Sequence, residues 1–139
     1  PHDSHMSVGY LIDTPYYKIG LATDLGYLSD ELMTALAACD ALILESNYDL
    51  DLLERGKYPY ALKCRIRSDH GHLSNNACAE ALSTLTKEKV RHVLLAHLSE
   101  ENNTPELAWR TSNAALENCG KEDEVRLAVA DRHVPTRLL

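Results

Sequence analysis

The chain has 139 residues, the size of one ordinary domain, and 45% of them are apolar, enough to bury a core. With seven Tyr, one Trp and no Phe, that core has to be mostly aliphatic. A net charge of −7 argues against a protein that coats nucleic acid by bulk electrostatics, but not against a local site where bound cations reverse the potential.

In chain order, the sequence opens on Pro1-His2-Asp3-Ser4-His5-Met6. Ser4-His5-Met6 resembles a cloning scar, and the rival reading is a start inside a larger protein. Val8 to Asp13 and Tyr17 to Thr23 read as strands, and Asp13-Thr14-Pro15 supplies the turn of a hairpin. Ser29 suits an N-cap for a helix over Asp30 to Ala38, with Asp30 and Glu31 where the helix dipole favours acids. Ala41-Leu42-Ile43-Leu44-Glu45 is an apolar run ending in an acid and suits a strand buried on both faces. Helices are expected over Asp49 to Arg55, stopping at Gly56, and over Ala61 to Arg67. Ser68 to Asn76 is a polar loop, and Ser74 or Asn75 can cap a helix running to about Leu85. Arg91 to Ala96 is the next strand. Thr104-Pro105-Glu106 starts a helix that ends near Cys119 and Gly120, and Val125 to Ala130 closes as a strand. Strands alternate with helices, so the fold class is α/β, with helices on at least one face of a layered sheet. Glu100-Glu101-Asn102-Asn103 is expected to be a solvated turn, and Trp109 and Leu116 to be core.

Cys39, Cys64, Cys78 and Cys119 form no CxxC pair, which speaks against a zinc ribbon, a redox motif or a disulfide framework. No apolar run approaches the ~18–20 residues of a membrane span. A reduced, cytoplasmic setting is the expectation.

Asp24, Glu45 and His97 each follow or end a strand. Sites in open α/β sheets lie where the carboxyl ends of strands converge. A carboxylate can bridge two divalent cations, and neutral imidazole suits zinc, manganese or iron. Ordinary loop polarity explains the same residues equally well. Asp69-His70-Gly71-His72 is a weak metal signal, since two His at i and i+2 share a side only if the loop is extended. Ser74 and Asn75 at a helix N-terminus suit an anion, and plain capping accounts for them as well. For His92 and His133 a structural or surface role is expected.

Four segments occur in order: Ala22-Thr23-Asp24-Leu25-Gly26, Leu44-Glu45-Ser46-Asn47-Tyr48-Asp49, Ser68-Asp69-His70-Gly71-His72-Leu73-Ser74-Asn75 and Leu95-Ala96-His97-Leu98-Ser99. Together they resemble the bacterial metallo-β-lactamase-fold hydrolases of the YycJ/WalJ type, relatives of tRNase Z and RNase J. The resemblance implies one half of an αβ/βα sandwich, with one mixed sheet carrying helices on one face. It implies a site with two divalent ions, zinc or manganese. Asp24 matches the bridging carboxylate, His97 the last ligand His, and His2, in a segment matching the third metal-binding motif, a further ligand. His72 matches a His that contacts the scissile phosphate or assists proton transfer, with Glu45 as its supporting acid. Ser74 and Asn75 are the substrate-binding candidates. The family's HxHxDH motif has no counterpart in residues 1–139, so these residues are expected to be the C-terminal half of the domain, weak in metal binding by themselves. An apolar sheet face left open would favour a homodimer or cover by the missing half. The implied activity is phosphodiester hydrolysis in DNA or RNA. The alternatives are hydrolysis of a small ester, thioester or lactam on the same fold, or an inactive folding or interaction unit.

Overall fold

The computed structural model describes residues 8–137. In chain order these form β1 (Tyr10–Asp13), β2 (Lys18–Ala22), α1 (Asp30–Ala37), β3 (Ala41–Glu45), α2 (Leu50–Arg55), α3 (Tyr60–Ile66), α4 (Asn75–Leu85), β4 (His92–Ala96), α5 (Pro105–Asn118) and β5 (Arg126–Val129). The succession is the expected one. Helix starts are set by side-chain caps: Ser29, Asp49, Ser74 and Thr104 accept from the amides of Leu32, Leu52, Ala77 and Leu107 at 3.0–3.2 Å. Gly120, at φ +68°, ends α5 in the left-handed conformation that favours glycine.

The strands lie in the order β1-β2-β3-β4-β5, with β1 antiparallel to β2 and the other pairs parallel. Consecutive parallel strands joined by right-handed crossovers deliver their connecting helices to the same face. Accordingly Leu36 of α1, Leu82 and Leu85 of α4, and Ala108 and Leu116 of α5 share one buried cluster with Ala22, Leu42, Leu44, Val93 and Leu95. A mixed sheet with helices on one face is compatible with half of a metallo-β-lactamase fold.

The strand register exposes the opposite face. Tyr10, Leu21, Ile43, Leu94 and Ala128 are paired across all five strands in one continuous apolar row. Tyr10 is 59% exposed, and the other four are only partly buried. Ile12 and Ile19 extend the apolar face on β1 and β2.

Two expectations need correction. Trp109 is 40% exposed, while Leu116 is fully buried. The buried stripe of α5 runs through Ala108, Ser112 and Leu116 at four-residue spacing, and Trp109 sits on its flank. The turn Glu100 to Asn103 is solvated only in its first half, because Asn102 and Asn103 are buried.

Candidate metal centre

The site is built at the carboxyl end of the sheet, around Glu45. This residue closes β3 and has no solvent exposure. Its Oε2 accepts from the backbone amides of Leu25 at 2.9 Å and Leu73 at 3.4 Å. Its Oε1 lies 2.8 Å from Nδ1 of His72 and 2.7 Å from Nδ1 of His97. Burial pushes the Glu45 carboxyl up, but the His72 and His97 hydrogen bonds and the Leu25 amide outweigh it and hold the group below its usual range. An ionised carboxylate can only accept, so both Nδ1 atoms carry hydrogen. In the neutral rings that leaves each Nε2 as a lone-pair donor, the state a metal requires.

The His97 ring faces Asp24. Nε2 of His97 lies 3.7 Å from Oδ1 of Asp24, and the two rings lie 5.3 Å apart, centroid to centroid. One ligand atom from each of Asp24, His72 and His97 falls within 4.8 Å of the other two. Three such donors fit one divalent cation with coordination positions to spare, as in catalytic zinc sites. Exposure rises outward across the site: Glu45 has none, the His72 side chain 19%, and His97 and Asp24 39% and 43%. The Glu45 hydrogen bond and charge, together with Asp24, raise the proton affinity of His97 against the opposing effect of burial.

The backbone is bent to make this arrangement. Asp24 and His97 are the non-glycine residues with positive φ among those described, at 60° and 57°. Asp and His tolerate this region better than most residues, and isolated examples gather at functional sites. At Asp24 the bend lets the next amide, Leu25, turn back onto Glu45. Gly26 and Gly71 permit the close approach of loops: a Cβ on Gly26 would run into the backbone of Ser68 and Asp69, and one on Gly71 into the carbonyls of Arg65 and Ile66.

Beneath the donors lies a buried network of polar side chains. The Ser46 hydroxyl donates to Asn75 Oδ1 at 2.7 Å. Asn75 and Asn103 exchange amide hydrogen bonds at 2.9 and 2.8 Å. Asn103 also donates to the carbonyls of Ser46 and Asn47 and accepts from the amide of Thr104. Asn47 donates to the carbonyl of His97 at 2.7 Å, and its own carbonyl accepts from Ser99. The loops bearing Glu45, His72 and His97 are thereby tied together.

Among the residues singled out from sequence, Asp24, Glu45, His72 and His97 converge. His70 is exposed and does not belong to the donor group. Ser74 caps α4, and Asn75 is 1% exposed with its amide engaged in the network. His2 lies outside the described residues. Ser46, Asn47, Asn102 and Asn103 escape a reading of the sequence. Asn and Ser beside strand ends look like ordinary loop residues until the structure shows Asn103 bonded to the carbonyls of Ser46 and Asn47, and Asn102 to Ser99. His133 lines a cleft of about 640 Å³ beside His97, together with Ser99, Glu100, Asn103 and Arg132. Arg132 is held there by Glu100 at 2.8 Å and the carbonyl of Leu98 at 3.1 Å.

Donor set and sheet together fit the edge of a metallo-β-lactamase-type domain. No family model matches the chain. Among curated proteins it is 34% identical to the exodeoxyribonuclease YycJ of Bacillus anthracis over 139 residues, 99% of this chain and 53% of that protein. It is 43% identical over 91 residues to the exodeoxyribonuclease WalJ of Streptococcus pneumoniae serotype 2 (strain D39 / NCTC 7466), 66% of this chain and 34% of the relative. The chain belongs with the metallo-β-lactamase-fold proteins of the YycJ/WalJ type. It spans about half the length of the Bacillus relative and a third of the Streptococcus one. No helix among the described residues is long and apolar enough to cross a membrane.

Proposed function

We propose that this chain supplies part of the active site of a metal-dependent phosphodiesterase that degrades DNA. One observation carries the reading: Asp24, His72 and His97, delivered by three separate strand ends and loops, put donor atoms within 4.8 Å of one another over a single buried acid. The names of the relatives, both exodeoxyribonucleases, support the choice of substrate.

In this reading Asp24 and His97 are metal ligands, and Asp24 has the second carboxylate oxygen needed to bridge to another ion. His2 and residues beyond this chain would complete a two-metal site, with zinc or manganese as the ion. A bound pair of divalent ions would supply Lewis acidity at the phosphate and lower the pKa of a water. The chain's own residues do the rest. Glu45 holds the His72 proton at Nδ1, so Nε2 of His72 can take up or release a proton at a phosphate oxygen. Asn47, by gripping the His97 carbonyl, keeps that ring oriented. The 4.8 Å grouping also favours a second role for His72, as a third ligand to one ion. The two roles separate on substitution. As a ligand, His72→Ala lowers metal content; as a proton carrier, it lowers turnover with metal retained.

The test uses the whole protein in which this chain occurs, assayed on a 5′-phosphorylated DNA duplex with and without Mn²⁺ or Zn²⁺, beside a model thioester. Metal-dependent DNA hydrolysis that disappears in Asp24→Ala and His97→Ala upholds the reading. Turnover of the thioester alone overturns it in favour of a small-molecule hydrolase, and turnover of neither leaves a folding or interaction unit. Residues 1–139 by themselves are proposed to hold fewer than two ions tightly and to be inactive. Calorimetry showing two tight sites refutes that. The apolar row from Tyr10 to Ala128 is proposed to be covered by the other half of the sandwich, or by a second copy when the chain is alone.

A further inference from the structure

Charge in this chain is unevenly placed. Residues 55–67 hold five of its 14 Lys and Arg (Arg55, Lys57, Lys63, Arg65 and Arg67) and none of its 21 Asp and Glu. The rest of the chain is therefore more acidic than the total of −7 suggests. Helix dipoles account for part of the clustering: Arg55 lies in the last turn of α2, and Lys63 and Arg65 in the last turn of α3. They explain neither Lys57 nor the lack of acids.

The shape of the segment is as unusual as its charge. α3 has no buried residue. Tyr60 at its start is 82% exposed, and Leu62 is 38% exposed. An amphipathic helix is normally stabilised by packing an apolar face, and this one packs little. Glu54 binds the carboxyl-terminal part of the segment, forming an ion pair with Arg67 and accepting Lys63 Nζ at its carbonyl. That anchors α3 against α2. Arg55, Lys57 and Arg65 all lie on the exposed surface of the segment.

The segment also leads into the metal centre. The carbonyl of Ile66, the last residue of α3, accepts from the amide of His72 at 2.9 Å. Gly71 lets the chain fold back onto Arg65 and Ile66. A molecule lying along α3 would reach the donor group at the helix's carboxyl end.

We infer that α2–α3, from Arg55 to Arg67, is a docking surface for a single strand of nucleic acid, directing it toward His72. Cations without intervening acids suit a phosphate backbone, and an exposed tyrosine beside them offers a face on which a base can stack. The strand's destination rests on the phosphodiesterase reading above; the binding of the strand itself does not.

The test is fluorescence anisotropy of labelled oligo-dT across a range of KCl concentrations, with a triple variant R55Q/K57Q/R65Q. Each phosphate left without its cation lowers the slope of log K against log salt by about 0.7, so the triple variant should lose about 2. A control of equal net charge, K87Q/R110Q/R137Q, should keep the original slope. Tyr60→Ala should weaken binding about tenfold at unchanged slope, and Tyr60→Trp should restore it. Equal slopes in the two triple variants, or no salt-dependent binding by the unsubstituted chain, overturns the inference. In the whole protein, hydrolysis of bis(p-nitrophenyl) phosphate should be unaffected by R55Q/K57Q/R65Q while the KM for DNA rises. Binding through these residues with no hydrolysis of either substrate would uphold the surface and sink the phosphodiesterase reading instead.

Discussion

Glu45 accepts four hydrogen bonds while shielded from solvent, and two substitutions there should separate its structural work from its chemical work. Glu45→Ala orphans the amides of Leu25 and Leu73, which belong to residues only 7% and 2% exposed. At about 1–3 kcal/mol for each buried donor left unsatisfied, the loss is about 3–4 kcal/mol, a large part of a domain's stability. The imidazoles add less, because their outer edges reach solvent. Glu45→Gln keeps the volume and one carbonyl oxygen for the two amides. Its NH₂ group then faces the two Nδ1 atoms and can donate to both, but only if each ring moves its hydrogen to Nε2. Exchanging charged for neutral hydrogen bonds costs about 1–2 kcal/mol. The tautomer change has the greater effect on metal, since Nε2–H cannot ligate, and a weakening of ~10–100-fold is the usual scale for losing such a support. Glu45→Gln should thus be the more stable variant and the poorer metal binder, with Glu45→Ala the reverse. Urea denaturation followed by circular dichroism reads the first order. Competition for Zn²⁺ against a weak chelator reads the second, and ¹⁵N shifts of His72 and His97 near pH 8 report the tautomers without metal. If the two variants rank the same way in both assays, or the Gln variant keeps hydrogen on Nδ1, the tautomer argument fails.

Asn103→Ala removes hydrogen bonds to the loop after β3 and to the start of α4 at a residue only 6% exposed, and should cost about 2–4 kcal/mol in urea denaturation, well beyond a typical surface substitution. Leu94→Lys, within the open apolar row, should leave secondary structure intact and reduce self-association of the isolated chain in sedimentation velocity; unchanged association would place the self-association surface elsewhere. Without metal, stability should fall at both ends of the pH range. The depressed Glu45 carboxyl contributes stability that is present above its unfolded pKa and lost as pH falls through the lower folded value. The raised His97 contributes stability that is present below its unfolded pKa and lost as pH rises through the higher folded value. Unfolding midpoints across pH should therefore show a plateau between the two, and a midpoint rising steadily through the His97 range would contradict the assignment.

The order of elements is legible in the sequence because each carries its own local signal. Thr104-Pro105-Glu106 opens a helix wherever it is placed, and an apolar run such as Ala41 to Leu44 needs no partner to suggest a buried strand. The donor residues are legible as candidates, because Asp24, Glu45 and His97 sit at strand ends and the family pattern assigns them roles. What pairwise contact decides is not legible. Nothing in the sequence distinguishes Asn75 as a substrate-binding residue from Asn75 as a buried link between Ser46 and Asn103, since an amide serves either purpose. Trp109 is misplaced for a related reason. Seven-residue spacing puts two residues on roughly the same side of a helix, but the position of the core stripe is set by the partner helix, α4.

The Asn and Ser network explains how a site with two strained residues can be held by so few groups. Positive φ at Asp24 and His97 costs free energy in any isolated loop. The strain is offset where the Leu25 amide is captured by Glu45 and the His97 carbonyl by Asn47. Asn103 fixes Asn47 in turn, so the His97 geometry depends on a residue six positions along the chain that does not touch the donor group. A centre built this way is set before any cation arrives: the rings already have their tautomer, and the carboxylate of Asp24 already faces His97. Metal binding would then require little reorganisation of these side chains.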